Sequence, residues 1–71
     1  MAEGVRAPLA GKVLSVAVEV GSKVEEDDEV LIIEALKMET IVYAPSDGTV
    51  KEIKVKAGDQ VEEDDLLVSM E

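Results

Sequence analysis

The chain repeats itself at an offset of 37 residues, and this repeat limits its fold more than any other feature of the sequence. Between segments 7–34 and 44–71, 12 of the 28 aligned pairs are identical. Pro8 recurs as Pro45, with a glycine three residues after each, and such residues mark changes of backbone direction. Two copies are too few for a solenoid, which needs about three repeats or more. The repeat therefore predicts a closed body with pseudo-twofold symmetry.

Each copy is predicted to form short strands, because closely spaced turn residues leave no room for a typical helix of about 11 residues. These turn residues are Pro8, Gly11, Gly21, Asp27, Pro45, Gly48, Gly58 and Asp64. The core must be aliphatic, since Tyr43 is the only aromatic residue, and the abundant valines favour strands. We predict an all-β flattened barrel of about eight short strands, as a single domain over residues 1–71.

The apolar alternation slips by one residue in both copies. Ile53 and Val55 alternate with polar neighbours, but Val50 lies three residues before Ile53. The first copy shows the same slip between Val13 and Val16. A β-bulge at each slip would return the side chains to the inner face and bend a long strand across two sheets.

Composition excludes several classes of function. The chain has no cysteine and no histidine, which excludes disulfides and the usual soft metal sites and makes an independent enzyme improbable. The formal net charge of −10 disfavours nucleic acids and anionic membrane surfaces. No apolar run approaches the roughly 18 residues of a membrane span. The start of the sequence does not resemble a signal peptide, and we expect a cytoplasmic location.

The repeat leaves segment 35–43 unmatched, and this segment is predicted to be a hairpin with Leu36 and Lys37 at its tip. The alternation places Met38, Thr40, Val42 and Ala44 towards the core and Glu39, Ile41 and Tyr43 towards solvent. A two-residue hairpin loop favours Asn-Gly or Gly-X, because a type I′ turn has positive φ at both central residues. Leucine and lysine do not ease that conformation, and backbone strain often marks a functional site.

The sequence of residues 34–40, EALKMET, closely resembles the biotin attachment motif E-A-M-K-M of biotin-dependent carboxylases and decarboxylases. The resemblance extends to A-P-x-x-G at 7–11, to the same pattern at 44–48 and to VKAGDQV at 55–61. It therefore covers nearly the whole chain. The attachment motif comprises Glu34, Ala35, Leu36, Lys37 and Met38. The resemblance implies two four-stranded antiparallel sheets, a barrel-sandwich hybrid, with covalent biotin on Lys37.

The chain departs from the family pattern at two kinds of position. Leu36 replaces the usual methionine, a mild exchange of similar volume that affects only recognition by the ligase. Asp27 and Asp64 stand where the family usually has glycine, which implies a left-handed backbone at both. The acidic runs around them lack the EF-hand pattern and are interpreted as solvated turns.

The resemblance implies a non-catalytic carrier that takes a carboxyl group between two active sites. Its partners would be biotin protein ligase, biotin carboxylase, and carboxyltransferase or decarboxylase subunits. One alternative is a lipoyl carrier, whose motif resembles D-K-A, whereas Leu36 and Met38 flank Lys37 as in the biotin family. A second alternative is an unmodified structural barrel. Ile41 and Tyr43, beside the tip, are candidates for a docking surface.

Overall fold

The computed structural model describes residues 3–71, apart from the side chain of Glu3, and contains eight β-strands and no helix in that range. The strands are β1 (Glu3–Arg6), β2 (Gly11–Val16), β3 (Lys23–Val24), β4 (Glu29–Ala35), β5 (Met38–Tyr43), β6 (Gly48–Ile53), β7 (Gln60–Val61) and β8 (Leu66–Met70). Nothing in this range is a helix long and apolar enough to span a membrane.

The strands form two antiparallel sheets, with the orders β1-β8-β6-β3 and β5-β4-β2-β7. The 37-residue offset relates β1 to β5, β2 to β6, β3 to β7 and β4 to β8. Applied to the first sheet, this correspondence gives the strand order of the second. The predicted fold class, two four-stranded antiparallel sheets with pseudo-twofold symmetry, is therefore confirmed.

Register shifts occur where the alternation slips in the sequence. In β2 the pairing with β4 shifts between Val13 and Ser15, and in β6 the pairing with β8 shifts between Val50 and Glu52. Each shift places an extra residue in the bulged strand and turns the next side chain back to the inner face. The bulges predicted from the sequence are thus confirmed in both copies.

The core between the sheets is wholly aliphatic, and it contains no polar or charged side chain from the described residues. Its largest fully buried side chains are Val5, Val13, Val30, Leu31, Ile33, Leu67, Val68 and Met70. Burying one such side chain contributes about 1.5–3 kcal/mol. The core extends past the bulges through four half-buried residues, Val16 and Ile53 at the ends of β2 and β6, and Val18 and Val55 in the segments that follow.

Four turns of one kind connect the strands, at residues 19–22, 25–28, 56–59 and 62–65. In each, the N–H of the fourth residue donates to the carbonyl of the first at 2.9–3.0 Å. A side-chain oxygen of the fourth residue accepts from the N–H of the first at 2.8–3.1 Å. The third residue has positive φ, as a type II turn requires. It is glycine in two turns but Asp27 (72°) and Asp64 (70°) in the others, which confirms the predicted left-handed aspartates.

We expect Asp64→Gly to leave the free energy of unfolding unchanged or to raise it by about 1 kcal/mol, because glycine adopts positive φ without steric cost. The hydrogen bond from the Asp64 N–H to the Ala7 carbonyl (2.9 Å) is a backbone bond and is retained. Asp65→Ala is the matched control. Like Asp64→Gly it removes one negative charge, but it also removes the carboxylate that accepts from the Glu62 N–H. It should therefore lower the free energy of unfolding by about 1 kcal/mol.

Thermal melts across a salt series measure both effects. The unmodified chain should gain stability as salt rises from low levels, because the crowded carboxylates of residues 62–65 are screened over about 10 Å. A clear loss of stability in Asp64→Gly would contradict the strain assigned to this turn.

Candidate functional site

The most constrained backbone lies at the tip of the β4–β5 hairpin. Ala35 pairs with Met38, which leaves a loop of Leu36 and Lys37 alone. Their φ angles are 52° and 64°, so both central residues are left-handed, as in a type I′ turn. The predicted tip and its unfavourable backbone are therefore confirmed. Neither side chain relieves this conformation. The regular pairing of β4 with β5 fixes the loop at two residues and so imposes the conformation on them.

The side chains of Leu36, Lys37 and Met38 at the tip point into solvent. Leu36 is 93% exposed and Met38 is 69% exposed, while Lys37 between them is also exposed. The predicted inward orientation of Met38 is wrong. Met38 is the first residue of β5, so it lies beyond the end of the core and has no opposing sheet to pack against.

Further along β5 the predicted alternation holds in part. Val42 and Ala44 are buried and Tyr43 is half exposed, as predicted. Thr40 is only partly buried. Ile41 was expected in solvent, but it pairs with Ile32 on β4, and both are half-buried on the outer face of the sheet. This apolar cross-strand pair covers part of each side chain.

Charged side chains surround the tip. One row across the outer sheet face runs from Glu39 through Glu34 and Lys12 to Gln60, each paired with the next in register. All four side chains are exposed. The acidic turn 62–65 lies at the same end, because Val61 before it pairs with Gly11 at the start of β2. The end that bears Lys37 therefore has more acids than bases.

A groove beside the tip was not foreseen from the sequence. It has a volume of about 480 Å³, and it runs between the end of β4 and the neighbouring β2 and β7. We call it the hairpin groove; its lining includes Gly11, Lys12, Glu34, Leu36, Gln60 and Val61. Residues from three separate segments of the chain meet there because of the register in which their strands pair. The sequence pattern does not predict the register between strands that are distant in the chain.

Lys37 presents a primary amine without a hydrogen-bond or ion-pair partner in the described part of the chain. Across residues 3–71, no group of three or more His, Cys, Asp or Glu side chains is placed to hold a metal ion. The chemistry that this arrangement supports is acylation of the amine by another protein. A β-body with a lysine exposed at a strained two-residue tip is the arrangement expected of a carrier domain that holds a covalent group.

Comparison with known proteins agrees with this class. A family model described as "Biotin-requiring enzyme" matches residues 3–70, and the chain therefore belongs to this family of biotin carrier domains. Its cofactor is covalent biotin, as the attachment motif predicts, and the relatives described next favour this over both alternatives from the sequence.

Two curated relatives are gamma subunits of decarboxylases. Methylmalonyl-CoA decarboxylase subunit gamma from Veillonella parvula is 49% identical over 43 residues, which are 61% of this chain and 33% of the relative. Glutaconyl-CoA decarboxylase subunit gamma from Acidaminococcus fermentans is 57% identical over 35 residues, 49% of this chain and 24% of the relative. The alignments thus span a third or less of the relatives' length.

Solved structures of carboxylases contain the same fold. A single-chain, multi-domain long-chain acyl-CoA carboxylase matches 97% of this chain with a TM-score of 0.91 and 29% identity. The urea carboxylase of Kluyveromyces lactis matches 99% of the chain with a TM-score of 0.92 and 38% identity. The matched regions are 7% and 6% of those chains, so the fold is a small module within each.

We expect Leu36→Asn to raise the free energy of unfolding by about 1 kcal/mol, because asparagine tolerates left-handed backbone through local hydrogen bonds. The leucine is almost fully exposed, so its removal costs little packing. Leu36→Ala is the control, since it removes the same apolar surface without that local hydrogen bonding. Chemical denaturation measures the three chains, and equal stability of Leu36→Asn and Leu36→Ala would contradict strain at this position.

Proposed function

We propose that Lys37 is the residue that biotin protein ligase modifies, and that the domain then carries a carboxyl group between two active sites. The observation that carries this proposal is the position of Lys37 at an exposed, left-handed two-residue tip. The bound biotin supplies a ureido nitrogen that accepts and releases the carboxyl group. The domain itself is a non-catalytic part of a larger enzyme.

The body of the domain supports presentation of Lys37 to large partners. It measures 32 × 17 × 17 Å, and the strands β1 and β8 that end at Glu3 and Met70 meet at the end opposite the tip. Lys37 adds a flexible four-carbon stem to a stiff hairpin. A narrow body with its modified residue at one end can enter an active-site mouth that would exclude a broader fold.

Tethering raises the effective concentration of the carried group at each site it visits. Each docking must nevertheless be weak, because a carrier bound tightly at one site cannot leave for the other. The acidic tip fits this requirement: exposed charges speed encounter with a basic surface more than they add to affinity. Acylation removes the Lys37 charge and makes this end more acidic.

We propose that the partners of this chain are biotin protein ligase, a biotin carboxylase, and a carboxyltransferase or decarboxylase subunit. The relatives support the partners that belong to carboxylases and decarboxylases, and the attachment motif supports the ligase. The gamma-subunit relatives favour a decarboxylase, in which an acyl-CoA would donate the carboxyl group to biotin. The carboxylase structures favour a carboxylase, in which an acyl-CoA or another small molecule would accept the carboxyl group from biotin. The cytoplasmic location expected from the sequence stays a prediction.

Lys37→Arg should abolish biotinylation, because the guanidinium keeps the charge but is not acylated by the ligase. Lys12→Arg is the control, since Lys12 is exposed on the same end of the domain but lies on a strand. Intact mass and streptavidin detection after expression with active ligase measure the outcome. Label that persists in Lys37→Arg would overturn the assignment, and so would its loss in Lys12→Arg.

Ile41→Ser should slow biotinylation by about threefold or more if Ile41 and Tyr43 form part of a docking surface. Because Ile41 is half-buried against Ile32, a stability loss of up to about 1 kcal/mol is expected as well. Rates are therefore compared well below the melting temperature. Val20→Ser is the control, since Val20 is 66% exposed in the turn 19–22, away from the hairpin. Equal rates for both variants would exclude a docking role for Ile41.

A further inference from the structure

The hairpin groove has a counterpart at the opposite end of the domain, related to it by the 37-residue offset. This far groove has a volume of about 390 Å³. Gly48 and Val24 stand there in place of Gly11 and Val61. The repeated strands thus make two related grooves, which differ in their side chains and in the hairpin residues Ala35 and Leu36, present only at the hairpin groove.

The floor of the hairpin groove consists of closely packed backbone and small apolar side chains. A Cβ atom on Gly11 would lie 2.5 Å from the carbonyl oxygen of Glu34 and 2.5 Å from Cγ2 of Ile33, so β2 passes close against β4 there. Val61 is buried beside it, and Ala35 adds a methyl group. The floor is therefore shaped by backbone and small apolar groups, against which an apolar ring system can lie flat.

The walls of the hairpin groove carry unused hydrogen-bonding groups. Lys12 offers a donor, Glu34 offers an acceptor, and the side-chain amide of Gln60 offers both. No hydrogen bond or ion pair engages these three side chains within residues 3–71. In the far groove the corresponding positions of Lys12 and Gln60 hold Thr49 and Lys23, and the carboxylate of Asp47 on that wall already accepts from the Glu26 N–H at 2.8 Å.

We infer that the hairpin groove is a resting site for the biotinyl group on Lys37, a conclusion that rests on the proposed function. The fused rings of biotin combine an apolar thioether ring with a ureido group, which has two N–H donors and one carbonyl acceptor. The Glu34 carboxylate complements the donors, Lys12 and Gln60 complement the carbonyl, and the floor complements the thioether ring. The volume of the groove lies in the range of small-molecule sites, about 300–1,000 Å³.

Only one of the two grooves lies within reach of the tether. Leu36, the neighbour of Lys37, lines the hairpin groove. A lysine stem joined to the biotin side chain spans roughly 12 Å when extended, at about 1.2 Å per bond. The far groove lies towards the other end of a body 32 Å long. The far groove is therefore an internal control with related strands, no hairpin wall and no tethered ligand.

The resting site would be weak, because its walls are exposed and compete with water for every hydrogen bond. Weak binding suits a carrier, since the ring must leave the groove at each active site. While it rests, the ring is shielded on one face and held at the end of the domain that partners approach. The groove thus restricts the conformations of a long, flexible arm between visits.

Nuclear magnetic resonance of the 71-residue chain tests this inference. Amide spectra are compared between unmodified and biotinylated chain, and intact mass verifies one added biotinyl group in the latter. We expect the amide chemical shifts of Gly11, Lys12, Gln60 and Val61 to change on biotinylation, as well as those at the tip. The amide chemical shifts at the far groove should not change. Nuclear Overhauser contacts between the biotin rings and Val61 methyl groups should accompany them.

The double variant Lys12→Met and Gln60→Ala removes the donors while leaving the floor intact. It should lower the modification-dependent shifts at Gly11 and Val61 by half or more, because the population of the resting state falls. The matched control, Lys23→Met with Thr49→Ala, alters the far groove and should change nothing.

The outcomes separate this inference from the proposed function. A chain that gains biotin by mass but shows no shift at Gly11 or Val61 overturns the resting site and leaves the carrier function standing. Shifts that persist unchanged in the double variant also overturn it, since they would then arise from amide formation at the tip alone. A chain that gains no biotin at all overturns both.

Discussion

The structure depends on the packing of two aliphatic sheet faces against each other. Side chains such as Leu31, Ile33 and Leu67 have no exposed surface, and no charged or polar side chain from the described residues enters the layer between the sheets. A domain of this size buries a smaller fraction of its surface than larger proteins do, so nearly every inward position has to be apolar. Valine and isoleucine meet this need and also favour the strand backbone.

The core in turn allows strain at the hairpin. β4 carries buried residues up to Ile33, and its pairing with β5 continues to Ala35 and Met38. The loop between them can then be two residues only, whatever those residues prefer. Leu36 and Lys37 accept positive φ because the strand pairing on both sides fixes their ends. A stiff tip with an exposed amine is the result, and a longer, relaxed loop would hold the lysine less firmly.

Symmetry explains why so few features of the molecule are specific to its function. The two sheets share one strand order, the four turns share one hydrogen-bonding pattern, and the two grooves lie at symmetry-related strand ends. The hairpin tip breaks this symmetry, and so do the side chains that line its groove. Lys37 and the groups around it therefore stand out against a repeated scaffold, and the carrier role that we propose rests on them.

The sequence by itself determined the all-β class, the pseudo-twofold repeat and both bulges, because these depend on local spacing. The left-handed backbone at Asp27 and Asp64 was implied by the resemblance to a family that has glycine there. The sequence also placed Lys37 at a two-residue tip. The tertiary structure decided the rest. Met38 lies in solvent because the core ends before it, and Ile41 is half-buried because Ile32 stands beside it. The groove required Lys12, Glu34 and Gln60 to meet across three strands, and such a meeting follows from long-range register that no local pattern in the chain records.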